Sequence, residues 1–183
     1  MDIVELLGRA LDQTGSIIDN ISADQLDLPT PCESWNVRTV IGHLVRGNQN
    51  TAAVATGGQR QPSPIADVGD DPWTAYRESA ATVKQAWQSI PLDQTYQTPL
   101  GALPAPALLT LRLSDNVTHG WDLARATGQT PRYDDDVVQA AFAFATGQFG
   151  SARPVGGPFA APVSVPDDLP AIDRLAAYLG RVP

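Results

Sequence analysis

The chain is poor in the residues that most often declare a chemistry. Among 183 residues there is one cysteine, Cys32, one lysine, Lys84, and only two histidines, His43 and His119. A single cysteine excludes an internal disulfide framework and fits a reducing compartment. Charged residues make up 17% of the chain, and the balance is acidic, with a formal net charge of -8. That balance argues against a nucleic-acid partner, because phosphate contacts need a basic surface. Long hydrophobic runs are missing as well: no uninterrupted apolar stretch approaches the ~20 residues that span a bilayer. The opening Met1-Asp2-Ile3-Val4-Glu5 has neither the positive nor the apolar region of a secretory leader. The expectation is a soluble, cytoplasmic protein with no membrane and no nucleic-acid partner. Without a leader, the glycosylation-like triplet Asn116-Val117-Thr118 reads as chance.

What is present suits one compact domain over residues 1–183. Hydrophobic residues are 43% of the chain, and this length buries about two-thirds of the unfolded surface without staples. From Asp2 to Asn20 the apolar residues Ile3, Leu6, Leu7, Ala10, Leu11, Ile17 and Ile18 recur at three- and four-residue steps, which predicts an amphipathic helix. A second helix starts near Ser34 to Asn36 and runs to Ala55, where Gly57-Gly58 ends it; residues 57 to 72 read as a surface loop. The third starts at Asp71 or Pro72, buries Trp73, Tyr76, Ala80, Val83 and Trp87, and is stopped by Pro91. Thr95 to Leu103, with its Pro-Leu-Gly turn, reads as an extended segment or small hairpin. A fourth helix, from Pro104–Pro106 to Gly128, is apolar on so much of its circumference that it must be central. Asp134 to Gln148 and Asp168 to Gly180 predict two further helices, with a strand-like Pro162 to Val165 between them. The result is an all-α protein: a four-helix bundle with short extra helices and a small extended segment.

The chemistry concentrates on the fourth helix. Asp115 and His119 are four residues apart, so they lie one turn above each other on one face. A carboxylate and an imidazole stacked this way can hold two positions of a metal ion, and His43, in the second helix, can supply a third. Two His and one Asp with an open fourth position is the pattern of a catalytic zinc site. The alternative is a closed hydrogen-bond network, because polar groups on a buried stripe must be satisfied at a cost of about 1–3 kcal/mol each if they are not. A Ser114-His119-Asp122 triad fails, since Ser114 and His119 diverge around the helix. Asp122 can hydrogen-bond an imidazole from behind, or pair with Arg125 or Arg112. Trp35 and Trp121 read as core, and Cys32 as a packing residue.

Two stretches carry a family resemblance. Pro31-Cys32-Glu33-Ser34-Trp35-Asn36-Val37-Arg38 leading to Gly42-His43-Leu44-Val45-Arg46-Gly47-Asn48 is the first. Arg112 to Ala124, containing Asp115-Asn116-Val117-Thr118-His119-Gly120-Trp121-Asp122, followed by Ala126-Thr127-Gly128-Gln129, is the second. Together they resemble the mycothiol-dependent maleylpyruvate isomerase N-terminal, DinB-like superfamily, and the tail resembles single-domain actinobacterial members. The resemblance implies an up-down-down-up four-helix bundle with a metal held by His43, Asp115 and His119. Zinc is the first choice and nickel the second, with mycothiol as cosubstrate. Arg46, Asn48 and Asp122 are the further candidates for contacting the thiol or supporting the site. This chain departs from the isomerase at two points: Asp115 stands where that enzyme is similar in carrying a Glu, and the enzyme's additional C-terminal domain has no counterpart here.

Two functions follow. In the first, the chain is a metal-dependent transferase or isomerase that activates a small thiol for attack on an electrophilic substrate. In the second, it is a non-enzymatic bundle that binds a metal or small ligand and keeps its His/Asp stripe as structure. A homodimer is the default on general frequency alone.

Overall fold

A computed structural model describes residues 2–98, 101–150, 153 and 159–183. Six helices are present among them: α1 (Ile3–Asp19), α2 (Val37–Ala55), α3 (Pro72–Trp87), α4 (Ala105–Ala126), α5 (Asp135–Gln148) and α6 (Ala171–Tyr178). The starts of the first three are set by side-chain caps. Asp2 accepts from Val4 N, Asn36 from Thr39 N and Asp71 from Thr74 N, each at 2.9 Å, so each supplies an acceptor that the first turn lacks. Pro72 follows its cap at a position where its missing N–H goes unneeded.

The bundle packs α1 and α2 each against both α3 and α4, which makes the up-down-down-up arrangement of the DinB-like fold. Its core joins Leu7, Leu11 and Ile18 of α1 to Ile41 and Leu44 of α2, Tyr76 and Trp87 of α3, and Leu109, Leu113 and Trp121 of α4. Buried indoles and phenols need partners for their polar ends, and they find them: Trp87 Nε1 donates to Thr51 O at 3.1 Å and Trp121 Nε1 to Asp173 at 2.7 Å. Helix α5 covers the outer face of α4, and α6 packs on both. That cover explains why α4 is buried nearly all round from Arg112 to Ala124. No described helix is long and apolar enough to cross a membrane.

One expectation resolves to the second of its two readings, and two others need adjustment. The extended segment is a hairpin, β1 (Thr95–Thr98) paired antiparallel with β2 (Gly101–Pro104), while the Pro99-Leu100 part of its turn lies outside the described residues. Pro162 to Val165 is not a strand: with no strand beside it among the described residues, Val163 N donates to Ala177 O of α6 at 2.9 Å. The last helix starts at Ala171 rather than Asp168, because Pro170 serves as its cap residue.

Candidate metal centre

Helix α4 carries Asp115 and His119 on one stripe, and the packing of α2 against α4 brings His43 opposite them. His43 Nε2 lies 3.4 Å from Asp115 Oδ1 and 3.3 Å from Oδ2. His119 Nε2 lies 3.6 Å from Asp115 Oδ1, and the two imidazole centroids are 4.9 Å apart. One ligand atom from each of the three residues falls within 4.8 Å of the other two.

The outer nitrogens explain what the inner ones can do. His43 Nδ1 is 3.1 Å from the carbonyl of Pro64, and His119 Nδ1 is 2.9 Å from Asp122 Oδ2. A carbonyl and a carboxylate only accept, so both Nδ1 atoms must carry the proton and donate. Each Nε2 is then directed at the Asp115 carboxylate, as a lone pair in the neutral ring or as a donor in the imidazolium. In the neutral form three acceptors face one another, an arrangement that a proton on an Nε2 or a cation between them would balance. Imidazoles held from behind by carbonyl or carboxylate are how proteins orient metal-binding histidines. The donor set therefore fits a borderline ion such as zinc, with two nitrogens, one oxygen and room for a fourth ligand.

Close backbone approach makes the supports of His43 and Asp115 possible. The loop after α2 lies against Gly42, where Ala66 N donates to Gly42 O at 3.0 Å; a Cβ there would come within 2.7 Å of Ala66 O. That contact carries Pro64 to His43. One turn on, Gly47 leaves space for the guanidinium of Arg112, which a Cβ would strike. Arg112, only 5% exposed, forms an ion pair with Asp115 Oδ2. Burial pushes the Asp115 carboxyl up, but Arg112, His43 and His119 outweigh it and hold it well below the usual carboxylate range.

Behind His119 sits a second, closed ion pair. Asp122 is fully buried and takes Arg181 in bidentate fashion, Nε to Oδ1 at 3.0 Å and Nη2 to Oδ2 at 2.8 Å. Burial opposes the charge on Asp122, yet its bonds from His119 and Arg181 keep its pKa lowered. Cys32, His119 and Asp122 also come within ligand distance of one another. That set is the poorer cation site, because both Asp122 oxygens are held by Arg181 and His119 Nδ1 is occupied. The Cys32 thiol is also pushed up to about 11, first by burial and then by Asp122, which leaves it a neutral neighbour of the site.

The other candidate residues are placed differently. Trp35 is half-buried against the edge of the core, and its ring also stands 4.8 Å from that of His43 and 5.7 Å from that of His119. Ser34, held at φ 68°, and the bond from Thr30 N to Trp35 O at 3.1 Å shape the loop that presents it. Trp121 is core, as its full burial indicates. Arg46 reaches Gln49 at 3.0 Å on the α2 surface. Asn48 is fully buried away from the histidines, its amide donating to Ser79 Oγ at 3.2 Å. Asp122 lies behind His119 as expected, but its cation is Arg181 rather than Arg125 or Arg112. Ser114 donates to Thr110 O at 2.8 Å and takes no part. Reasoning from sequence missed Arg181, the Pro64 carbonyl and Arg60. The last of these lines a cavity of about 150 Å³ with His43, Arg112 and Asp115, where partial burial lowers its pKa.

Comparison with known proteins gives the family and the fold. Residues 7–124 match the model of the mycothiol maleylpyruvate isomerase N-terminal domain. Two uncharacterized proteins, from two strains of Mycobacterium tuberculosis, are 36% identical over 99% of this chain and 98% of their own. Among solved structures, the mycothiol-dependent maleylpyruvate isomerase superposes with a TM-score of 0.62 at 17% identity, over 80% of this chain and 70% of that one. A histidine-to-alanine mutant of that enzyme gives 0.65 at 15% identity over the same shares. At these identities the likeness to the solved structures is one of fold.

Proposed function

The chain belongs to the mycothiol maleylpyruvate isomerase N-terminal domain family, and from that premise we propose that it is a divalent-metal-dependent transferase or isomerase that uses a low-molecular-weight thiol of the mycothiol type. The observation that carries this reading is the convergence of two Nε2 lone pairs and a carboxylate, with both Nδ1 protons committed elsewhere. His43, His119 and Asp115 would hold the ion, zinc first and nickel second. When bound, such an ion supplies a positive charge that keeps a small thiol deprotonated at neutral pH.

The chain's own residues do the rest. Asp122 and Pro64 fix the tautomer and orientation of the two imidazoles, so no reorganisation is needed on binding. Arg112 pins the Asp115 carboxylate. Trp35 shields one side of both rings from water. Arg60, on the cavity beside His43, offers its guanidinium to an acidic group of the thiol or of an electrophilic substrate, a role for which Arg46 and Asn48 are badly placed.

A second reading has one observation in its favour: Arg112 already neutralises Asp115, so the stripe can stand as structure in a bundle that binds a small ligand without turnover. Calorimetric zinc titration, followed by mycothiol, on the wild type and His119→Ala separates the two. The proposal expects one zinc per chain, thiol binding only after zinc, and loss of both in the variant. Absence of stoichiometric metal binding in protein purified without chelator leaves the second reading standing and removes the first.

A further inference from the structure

A second cavity, of about 170 Å³, adjoins the first along α4. Asp115 forms part of its wall. Most of the remainder is apolar: Leu111 of α4, Phe144 of α5, and Phe149, Phe159 and Leu179 from the segments beyond it. Little in this lining suits an ion. The Ser114 hydroxyl at its edge is spent on Thr110 O, and Asp115 would repel an anion.

The wall is built rather than accidental. Phe149 meets Phe159 edge-to-face at 4.8 Å and Phe144 at 6.4 Å, geometries that aromatic pairs favour. The guanidinium of Arg153 sits 5.9 Å from the Phe149 ring and 5.8 Å from that of Phe159. Its own hydrogens go to the carbonyls of Gly150, Ala160 and Tyr178, so this cation holds the wall together instead of serving a ligand. Arg181 ties the same C-terminal segment to α4 through Asp122. Yet Leu111, Phe144, Phe149 and Phe159 all remain only half-buried, facing a concavity that leaves apolar surface uncovered.

Size names the occupant. A dry apolar cavity of roughly 150 Å³ accepts one benzene, so this concavity has the space to seat one six-membered ring against its walls. Whole small-molecule sites usually run to about 300 Å³ or more, which means that the cavity takes part of a ligand and the adjoining one beside His43 takes the rest. We propose that this cavity is a subsite for one apolar six-membered ring of the electrophilic substrate, held against Asp115 and so beside the metal centre. The word substrate rests on the function proposed above; the ring site itself does not.

Fluorine NMR titration of the full chain with fluorobenzene, with and without zinc, tests it. The expected result is saturable one-site binding in both states. Ala145→Leu, which fills the cavity, and Phe144→Ala, which removes a half-buried wall and spares the core, should each weaken fluorobenzene by about tenfold. No saturation up to the solubility limit, or equal binding by wild type and both variants, overturns the proposal. Ring binding in a chain that takes no zinc would sink the metal-dependent function and keep the subsite; zinc binding without ring binding would do the reverse.

Discussion

Adjacent residues on α4 serve two polar regions of opposite character. Asn116 faces a buried network in which donors and acceptors match. The Tyr76 hydroxyl donates toward Asn116 Oδ1 at 2.9 Å with Leu11 O also in reach, and Asn116 Nδ2 donates to Arg112 O at 3.0 Å and toward Asn48 Oδ1 at 3.4 Å. Asn48 Nδ2 donates to Ser79 Oγ, and Ser79 Oγ to Tyr76 O at 2.9 Å. One residue earlier, Asp115 faces His43 and His119 in a cluster with acceptors in surplus. The first region is neutral and complete without help. The second is charged and partly open to solvent, with Asp115 at 23% side-chain exposure and Arg112 as its internal cation, and in the proposed function a metal ion would complete it. Polar burial on a helix is therefore not in itself a sign of function; an imbalance between donors and acceptors is.

That contrast can be broken by substitution. The largest effect should come from Arg181→Met, which leaves Asp122 as a buried carboxylate without its cation. Loss of about 3–5 kcal/mol is expected in chemical denaturation, together with a roughly 10–100-fold weaker zinc affinity because His119 loses its support. An unchanged zinc affinity in a folded variant would show that Asp122 positions nothing. Next, His119→Ala should weaken zinc by about a hundredfold or more and cost about 1–3 kcal/mol of stability, because it also takes a hydrogen bond from buried Asp122.

Cys32 reports on burial beside the same carboxylates. With its thiol at about 11, alkylation near pH 8 should run about a hundredfold slower than for an ordinary cysteine, since only the thiolate reacts. The sign is set by the raised pKa: the thiol is neutral at physiological pH, and the rate should climb as pH rises towards 11. A midpoint near the ordinary thiol value would contradict the buried, carboxylate-facing placement. The smallest effect belongs to the balanced region. Asn116→Ala should cost about 1–3 kcal/mol by orphaning Tyr76 and Asn48, with zinc affinity unchanged. If instead zinc binding collapsed there and stability did not, the comparison between the two regions would be reversed.

Much of this could be read along the chain. Asp2, Asn36 and Asp71 mark helix starts by their side chains alone, and the wide apolar surface of α4 announces a central helix. The spacing of Asp115 and His119 is a property of any helix, so their shared stripe needed no tertiary information. Asn48 shows where such reasoning fails. It follows His43 by five residues, which turns it roughly 140° around the helix, and so it enters the neutral network rather than the site. Trp35 reads as core because an indole usually is, and it does pack at the core's edge; only the loop shaped by Ser34 and Thr30 also sets its ring beside the two imidazoles. Asp122 was expected to take a neighbouring arginine on its own helix, and instead pairs with Arg181, which lies 59 residues along the chain.

Sequence alone determined the elements: where helices begin, which faces are apolar, and which polar residues share a stripe, because caps and the 3.6-residue period act over a few residues. Tertiary structure decided the partners. Whether Asp115 meets His43, whether Pro64 reaches the far side of that ring, and whether Arg181 closes behind His119 all depend on how α2, α4 and α6 cross and on the glycines that let them approach. Those distances arise from packing between segments far apart in the chain, and no local pattern encodes them.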